Sequence, residues 1–459
     1  MKTADLLGSL PPLPEEDLTS KIHELLIDSG KTIVVLDDDP TGTQTVFDVP
    51  VLTALDRESI HEALEEEPPV LFLLTNSRAL TPEETTHLHR DLGEILRDYR
   101  DDIIVLSRSD STLRGHFPLE TDILAEALDL RNAPTLFIPF FEAGGRFTVN
   151  DTHYVVEGDT ATPAHLTPFA NDNSFPFSHS HLPDYIEEKS QGRIPAAEVQ
   201  SISIDDLRTG DVEKRLADLP DGSTCIINAA SLHDLNALSA AIHQSDRPFI
   251  IRCAASFVQS LAGIISRPSL EPWQMQDLDE NPNGGLIVVG SHVPKTTTQL
   301  NHLIKNAPEA TPIELDVPAL LKNSEETLTP LIDQLNEVIK SGNTAILYTS
   351  RKRIDAREKT RNLDISQTVS NALVSLVQSV KARPAFFIAK GGITSSDIGT
   401  EALGIKKAMV LGQILAGVPV WTLGVETRHP GLAYVIFPGN VGNDAALTRA
   451  YHKLSTDTL

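Results

Sequence analysis

The chain has 459 residues, 40% apolar and 22% charged, which is too long for one comfortable core and predicts two domains. The balance of 64 acidic against 38 basic residues gives a formal charge of −26. Such a field repels nucleic acid and anionic membrane, and any anionic ligand must be met by a local group of Arg, Lys or backbone N–H. No apolar run approaches the roughly 18 residues that span a bilayer, and no signal-peptide core precedes residue 20. A cytoplasmic protein with Cys225 and Cys253 as buried thiols is expected.

The first apolar run, residues 32–36, ends in Asp37-Asp38-Asp39-Pro40-Thr41-Gly42-Thr43. An apolar run bounded by turn residues reads as a buried strand of an α/β sheet, and ligands of such sheets sit beyond the carboxyl ends of the strands. Three adjacent Asp at that edge repel one another unless cations, Arg or substrate hydroxyls meet them. Further strands are expected at 70–75, 103–107, 135–139, 225–229 and 249–252, and helices at 82–99 and 119–130. That alternation predicts a largely parallel sheet flanked by helices.

Three of these strands also run into polar clusters. They are Thr75-Asn76-Ser77-Arg78, then Ser107-Arg108-Ser109-Asp110-Ser111-Thr112-Leu113-Arg114-Gly115-His116, then Gly144-Gly145-Arg146-Phe147-Thr148 within 139–151. A parallel sheet delivers all these ends to one edge, where they can converge on one ligand. Arg78, Arg108, Arg114 and Arg146 suit a carboxylate or phosphate, while Asp38, Asp39, Asp110 and hydroxyls such as Ser111 and Thr148 suit sugar hydroxyls. A small, anionic, polyhydroxylated molecule satisfies both halves of that set. Residues 171–183 read as a long surface loop, and His165, His179 and His181 lack metal-ligand spacing.

A stretch at 269–284 reads as a linker, giving domains at 1–268 and 285–459. A second alternation follows, with strands at 286–289, 344–348, 385–389, 419–423 and 434–437. After them come Gly290-Ser291-His292-Val293-Pro294-Lys295, then Lys390-Gly391-Gly392-Ile393-Thr394, then Pro438-Gly439-Asn440-Val441-Gly442. Paired glycines let backbone N–H groups approach phosphate oxygens, and Ser and Thr add donors. None of these matches the Walker or dinucleotide pattern. Together they point to a phosphate-bearing ligand.

In order, these motifs resemble those of the four-carbon acid sugar kinase family, which phosphorylates tetronate-type acids with ATP. Asp38-Asp39-Pro40-Thr41-Gly42 is similar to its opening motif, Thr75-Asn76-Ser77-Arg78 to its Thr-x-Ser-Arg, and Asp110-Ser111-Thr112-Leu113-Arg114-Gly115 to its Asp-Ser-Thr-Leu-Arg-Gly. Gly145-Arg146-Phe147-Thr148 resembles its Gly-Arg-x-Thr, and the Gly290-Ser291, Gly391-Gly392-Ile393-Thr394 and Gly439-Asn440-Val441-Gly442 loops resemble its nucleotide-binding loops. Pro40 stands where an aromatic is usual, Arg108 where Lys is common, His292-Val293 for a small Cys/Ser pair and Phe437-Pro438 for Lys-Ser. The resemblance implies an N-terminal substrate domain and a C-terminal nucleotide domain with the active site in the cleft between them.

On that reading Asp38, Asp39 and Asp110 are the catalytic candidates, and Arg78, Arg108, Ser111, Arg114, Arg146 and Thr148 bind substrate. Ser291, Gly391, Gly392, Ile393, Thr394, Gly439, Asn440 and Gly442 bind nucleotide. Mg²⁺ is expected to bridge the ATP phosphates with no protein ligand named, and a homo-oligomer stays open. The alternative is a haloacid-dehalogenase-like phosphatase, whose first motif Asp37, Asp39 and Thr41 fit and whose second Thr75 fits.

Overall fold

The computed structural model describes residues 1–275, 281–351 and 359–455, with the side chains of 359–364 outside the description. The chain divides into two compact units, Met1–Ser266 and Arg267–Leu459.

The first unit contains β1 (Thr32–Asp37), β2 (Val49–Leu52), β3 (Val70–Leu74), β4 (Ile103–Arg108), β5 (Thr135–Ile138), β6 (Arg146–Val149), β7 (Thr152–Glu157), β8 (Thr160–Pro163), β9 (Gln200–Ile202), β10 (Thr224–Ile227) and β11 (Ile250–Cys253). Strands β6, β7 and β8 form a small antiparallel sheet. The others lie parallel in the order β2-β3-β1-β4-β11-β5-β10-β9. Helices cover both faces of such a sheet, which is why β3 and the middle of β1, Ile33 to Leu36, are apolar and both strands are buried at every position. On one side Ile60, Leu64, Leu92, Leu96 and Leu124 pack on Val34, Leu36, Leu71 and Leu73. Each such side chain contributes about 1.5–3 kcal/mol by burial. The helix Pro82–Leu96 begins at a capping box of Thr81 and Glu84 with Pro82 in its first turn.

The chain leaves β1 toward β3 on one side and returns to β4 on the other. A crevice therefore opens beyond the carboxyl end of β1, the switch point where open α/β sheets hold their ligands.

The second unit is α/β as well, with β12 (Leu286–Val289), β13 (Thr311–Leu315), β14 (Ala345–Thr349), β15 (Phe387–Lys390), β16 (Lys407–Leu415), β17 (Val418–Leu423) and β18 (Ala433–Phe437). Its strand order is β13-β14-β12-β15-β18-β17-β16. Strand β17 runs antiparallel to both its neighbours, and the remaining pairs are parallel. Ile287, Val289, Leu300, Leu303, Val435, Leu447 and Tyr451 share its core. Here the switch point lies at β12, between β14 and β15.

Two expectations change. The loop at 171–183 is anchored rather than superficial: Phe175 and Phe177 are buried, Phe175 packs edge-on against His116 and Phe177 against Tyr185, and a helix already begins at Leu182. Apolar anchors two residues apart were hidden by the polar residues around them. Of the expected linker, residues 269–275 are built into the second unit, where Leu270 and Met275 join the core and the Leu270 N–H donates to Gln413. Residues 276–280 of that linker lie outside the described residues.

Candidate functional site

In the first unit, β1 and β4 are in register so that Asp37 and Arg108 are partners across the ladder. Arg108 Nη1 meets Asp37 Oδ1 at 2.8 Å and Asp38 Oδ1 at 3.5 Å. Asp37 is 1% exposed, and burial pushes its carboxyl up to about 7, more than the neighbouring Arg108 offsets. Beyond β3, Arg78 grips Asp38 through Nη2 at 2.5 Å and Nε at 3.1 Å, and reaches Asp39 at 3.3 Å and Asp110 at 4.0 Å. Ser109 Oγ donates to Asp38 Oδ2 at 2.6 Å.

Arg114 carries the chain of charges onward, with Nε 2.8 Å from Asp110 and Nη1 3.5 Å from Asp172. Against the cost of burial, Arg114 and Arg78 hold the Asp110 carboxyl well below the usual carboxylate range. Against the same cost, Arg78 and Thr41 hold that of Asp39 below it. Both are anionic at neutral pH. Asp37, Arg108, Asp38, Arg78, Asp110 and Arg114 thus form one continuous net of alternating charge.

Phe169 lies beneath two guanidiniums, Arg114 at 5.2 Å and Arg146 at 5.6 Å from the ring centre. No carboxylate among the described residues pairs with Arg146 in the way Asp110 pairs with Arg114, and its buried Nε has no hydrogen-bond partner. Thr148 is fully buried, and its hydroxyl meets His153 Nδ1 at 2.9 Å. His153 Nε2 in turn meets the Ser111 carbonyl at 2.8 Å. The carbonyl can only accept, so Nε2 carries the proton and Nδ1 accepts from Thr148. Burial lowers His153 to about 4, which keeps that tautomer neutral. Thr148 therefore supports the Ser111 loop from within.

Arg252 plays a matching part from β11: fully buried against Phe137, it donates to the carbonyls of Asp110 and Arg114 at 3.2 Å each. Its Nε and Nη1 have no hydrogen-bond partner among the described residues. Sequence reasoning passed over His153 and Arg252. A lone Arg inside the apolar run Ile250-Ile251-Arg252-Cys253 was the available signal.

In the second unit, the ends of β12, β15 and β18 meet. Gly391 has φ +121°, and a β-carbon there would stand 2.9 Å from Ser291 Cβ and 3.3 Å from Thr394 Oγ1, so only glycine fits. Thr296 Oγ1 bridges Ser291 Oγ at 3.2 Å and the Gly439 carbonyl at 3.1 Å. Ser291, Gly391, Thr394 and Gly439 are thereby gathered together. Gly392 opens the short helix Gly392–Asp397, in which the Ile393 side chain is exposed. Asn440 and Gly442 are exposed further along the last loop, whose carbonyls at Val441 and Asn443 each accept from Gln299 Nε2 at 2.9 Å.

Two cations here escaped the sequence reading. Arg351, just past β14, donates through Nη2 to the Ser291 carbonyl at 2.6 Å and to Thr297 Oγ1 at 2.8 Å. Lys390 closes β15 and is fully buried. Its position directly before the paired glycines was its only sequence signal.

Residues 33–261 match a Sugar-binding N-terminal domain, and residues 286–447 match a Nucleotide-binding C-terminal domain. The chain belongs to the four-carbon acid sugar kinase family. Two solved structures share the fold. Haemophilus influenzae protein HI1011 is 17% identical with a TM-score of 0.63, covering 92% of this chain and 100% of that one. A Salmonella typhimurium LT2 protein described provisionally as a tRNA synthase is 18% identical with a TM-score of 0.67, covering 92% and 98%. No protein of curated function matches the chain. Among the described residues, no helix is long and apolar enough to cross a membrane.

Proposed function

We propose that the protein is an ATP-dependent kinase that phosphorylates a hydroxyl of a four-carbon sugar acid of tetronate or 3-oxo-tetronate type. The observation that carries this reading is the net of aspartates and arginines at the switch point of a sugar-binding domain, beside an Arg146 that pairs with no carboxylate among the described residues. Phosphoryl transfer depends on positioning and charge neutralisation more than on covalent chemistry. Arg146 and Arg114, stacked on Phe169, receive the substrate carboxylate. Arg78 and Arg108 fix Asp38, Asp39 and Asp110 so that their free lone pairs face substrate hydroxyls. Asp110, anionic at neutral pH, accepts the proton of the attacking hydroxyl.

The loops around Ser291, Gly391 and Gly439 hold the ATP phosphates through backbone N–H groups and hydroxyls. Among the described residues no group of three His, Cys, Asp or Glu could hold a metal ion. The donor set therefore does not fit an all-protein Mg²⁺ cage, and no step is assigned to the metal. With a net charge of −26, the reading includes no nucleic-acid partner.

A coupled ADP-release assay over a panel of four-carbon sugar acids tests the proposal. At least one acid should stimulate ADP release, and Asp110→Asn should lower kcat by about a hundredfold or more. ATP binding without stimulation by any acid of the panel, or an unimpaired Asp110→Asn enzyme, refutes it.

A further inference from the structure

Lys390 sits in the middle of the second unit's strand ends, in register with Val289 on one side and Phe437 on the other. Its Nζ donates to the Pro438 carbonyl at 2.6 Å and reaches the Gly439 carbonyl at 3.4 Å, and stands 4.2 Å from the centre of the Phe437 ring. All three are acceptors for an ammonium, yet among the described residues no carboxylate pairs with it. Of the groups on the elements packed against β15, Asp397 at the end of the helix Gly392–Asp397 accepts from Ser370 Oγ and Tyr434 of β18 donates to the Ser395 carbonyl, and neither pairs with Lys390. Lys295 lies on the helix Pro294–Asn306, His292 precedes that helix with Nε2 3.1 Å from the Ser350 carbonyl, and Arg351 follows β14. On the β18 side Phe437 and Pro438 are uncharged, and Asp444 is exposed further along the loop. A buried amine held by two carbonyls, with Lys295 nearby, lacks a counter-charge, and a bound polyphosphate would provide one.

We infer that Lys390 is the positioning residue of the nucleotide site: it pins the backbone at Pro438 and Gly439, and it takes up a proton from solvent as the nucleotide binds. The inference rests on the reading that the loops at Ser291, Gly391 and Gly439 hold the nucleotide. The pinned carbonyls fix which way the peptide groups of the Gly439–Asn440 turn can face. The proton comes from water or buffer and adds to the Nζ lone pair, so the bound state carries one more positive charge beside the phosphates. Burial, with Lys295 nearby, lowers Lys390 to about 7. At pH 8 the amine is then mostly neutral before binding, and binding should draw in more than half a proton.

Isothermal titration calorimetry of ADP into the full chain at pH 8, in two buffers of different ionisation enthalpy, measures that uptake directly. At this pH the ADP phosphates are already fully ionised. Wild type should take up more than half a proton per ADP. Lys390→Met should bind about tenfold more weakly with no uptake, while His292→Gln should keep the uptake. Wild-type binding without proton uptake overturns the inference, as does uptake that survives in Lys390→Met or disappears in His292→Gln. The wild-type stoichiometry decides the matter even where Lys390→Met does not fold. Absence of any ADP binding by folded wild type overturns the nucleotide reading itself, and this inference with it.

Discussion

Replacing Arg78 by Gln removes the cation that joins three aspartates. Arg78 makes two close contacts to Asp38, one to Asp39 at 3.3 Å and a longer one to Asp110 at 4.0 Å, with its side chain only 18% exposed. Removing one partner of a buried ion pair costs about 3–5 kcal/mol, because the remaining charge is left without compensation. The residual exposure of Arg78 favours the lower end, about 3 kcal/mol. For a folding unit of this size that corresponds to a fall in Tm of about 6–12 °C at pH 7.

The pH dependence has a definite sign. Asp39 and Asp110 are held below the usual carboxylate range, so in wild type they contribute stability above an unfolded value near 3.9, lost as pH falls through their folded values. Without Arg78 their folded values rise, and protonation then relieves the repulsion. The deficit of Arg78→Gln relative to wild type should therefore be largest at neutral pH and shrink toward pH 4. Differential scanning calorimetry across that range is the assay. A variant whose Tm at pH 7 lies within about 2 °C of wild type, or whose deficit widens on acidification, refutes the reasoning.

Gly42→Ala should destabilise by about 1–3 kcal/mol in chemical denaturation, since its β-carbon would fall 2.0 Å from Asp37 Oδ2; an unchanged midpoint would show that Asp37 moves freely. Asp37→Asn probes the opposite kind of carboxyl. Its folded value, about 7, lies above the unfolded one, so ionisation costs wild-type stability as pH rises from about 4 to 7 and no more above that. The Asn variant should gain on wild type over that window and keep a constant lead beyond it, and a lead that falls with pH would contradict the assignment. Arg351→Gln, which loses the bonds to Ser291 and Thr297, should raise KM for ATP about tenfold while KM for the acid stays put, as steady-state kinetics with each substrate varied would reveal.

The parallel framework was legible because β1, β3 and β4 are apolar runs that end abruptly in charge, and the one-edge rule then brought Asp38, Arg78 and Asp110 together without coordinates. The β6–β8 sheet was not read, although Arg146-Phe147-Thr148-Val149 alternates in strand fashion, because the paired glycines before it looked like the start of a loop. Strand β2, four residues including a proline, is too short to separate from a turn. At the site, the residue types were readable but their commitments were not. Nothing in one dimension distinguishes Arg78, ion-paired with three aspartates, from Arg146, which pairs with no carboxylate among the described residues. Thr148 sat in the right motif, yet its hydroxyl is spent on His153, a partner five residues away that only the β6–β7 hairpin brings opposite.

The alternating net around Arg78 and Arg108 has a consequence for selectivity. Because each of these guanidiniums already has an internal carboxylate, neither offers an anion a bare positive hole, and the aspartates they hold keep a spacing set by β1 and β4. On the proposed function, a simple anion such as chloride or sulfate would offer those aspartates no hydroxyl, whereas a guest with a carboxylate for Arg146 and hydroxyls for the aspartates would satisfy both. On that proposal discrimination would follow from the pattern of partners rather than from bulk attraction, which suits a chain with a net charge of −26.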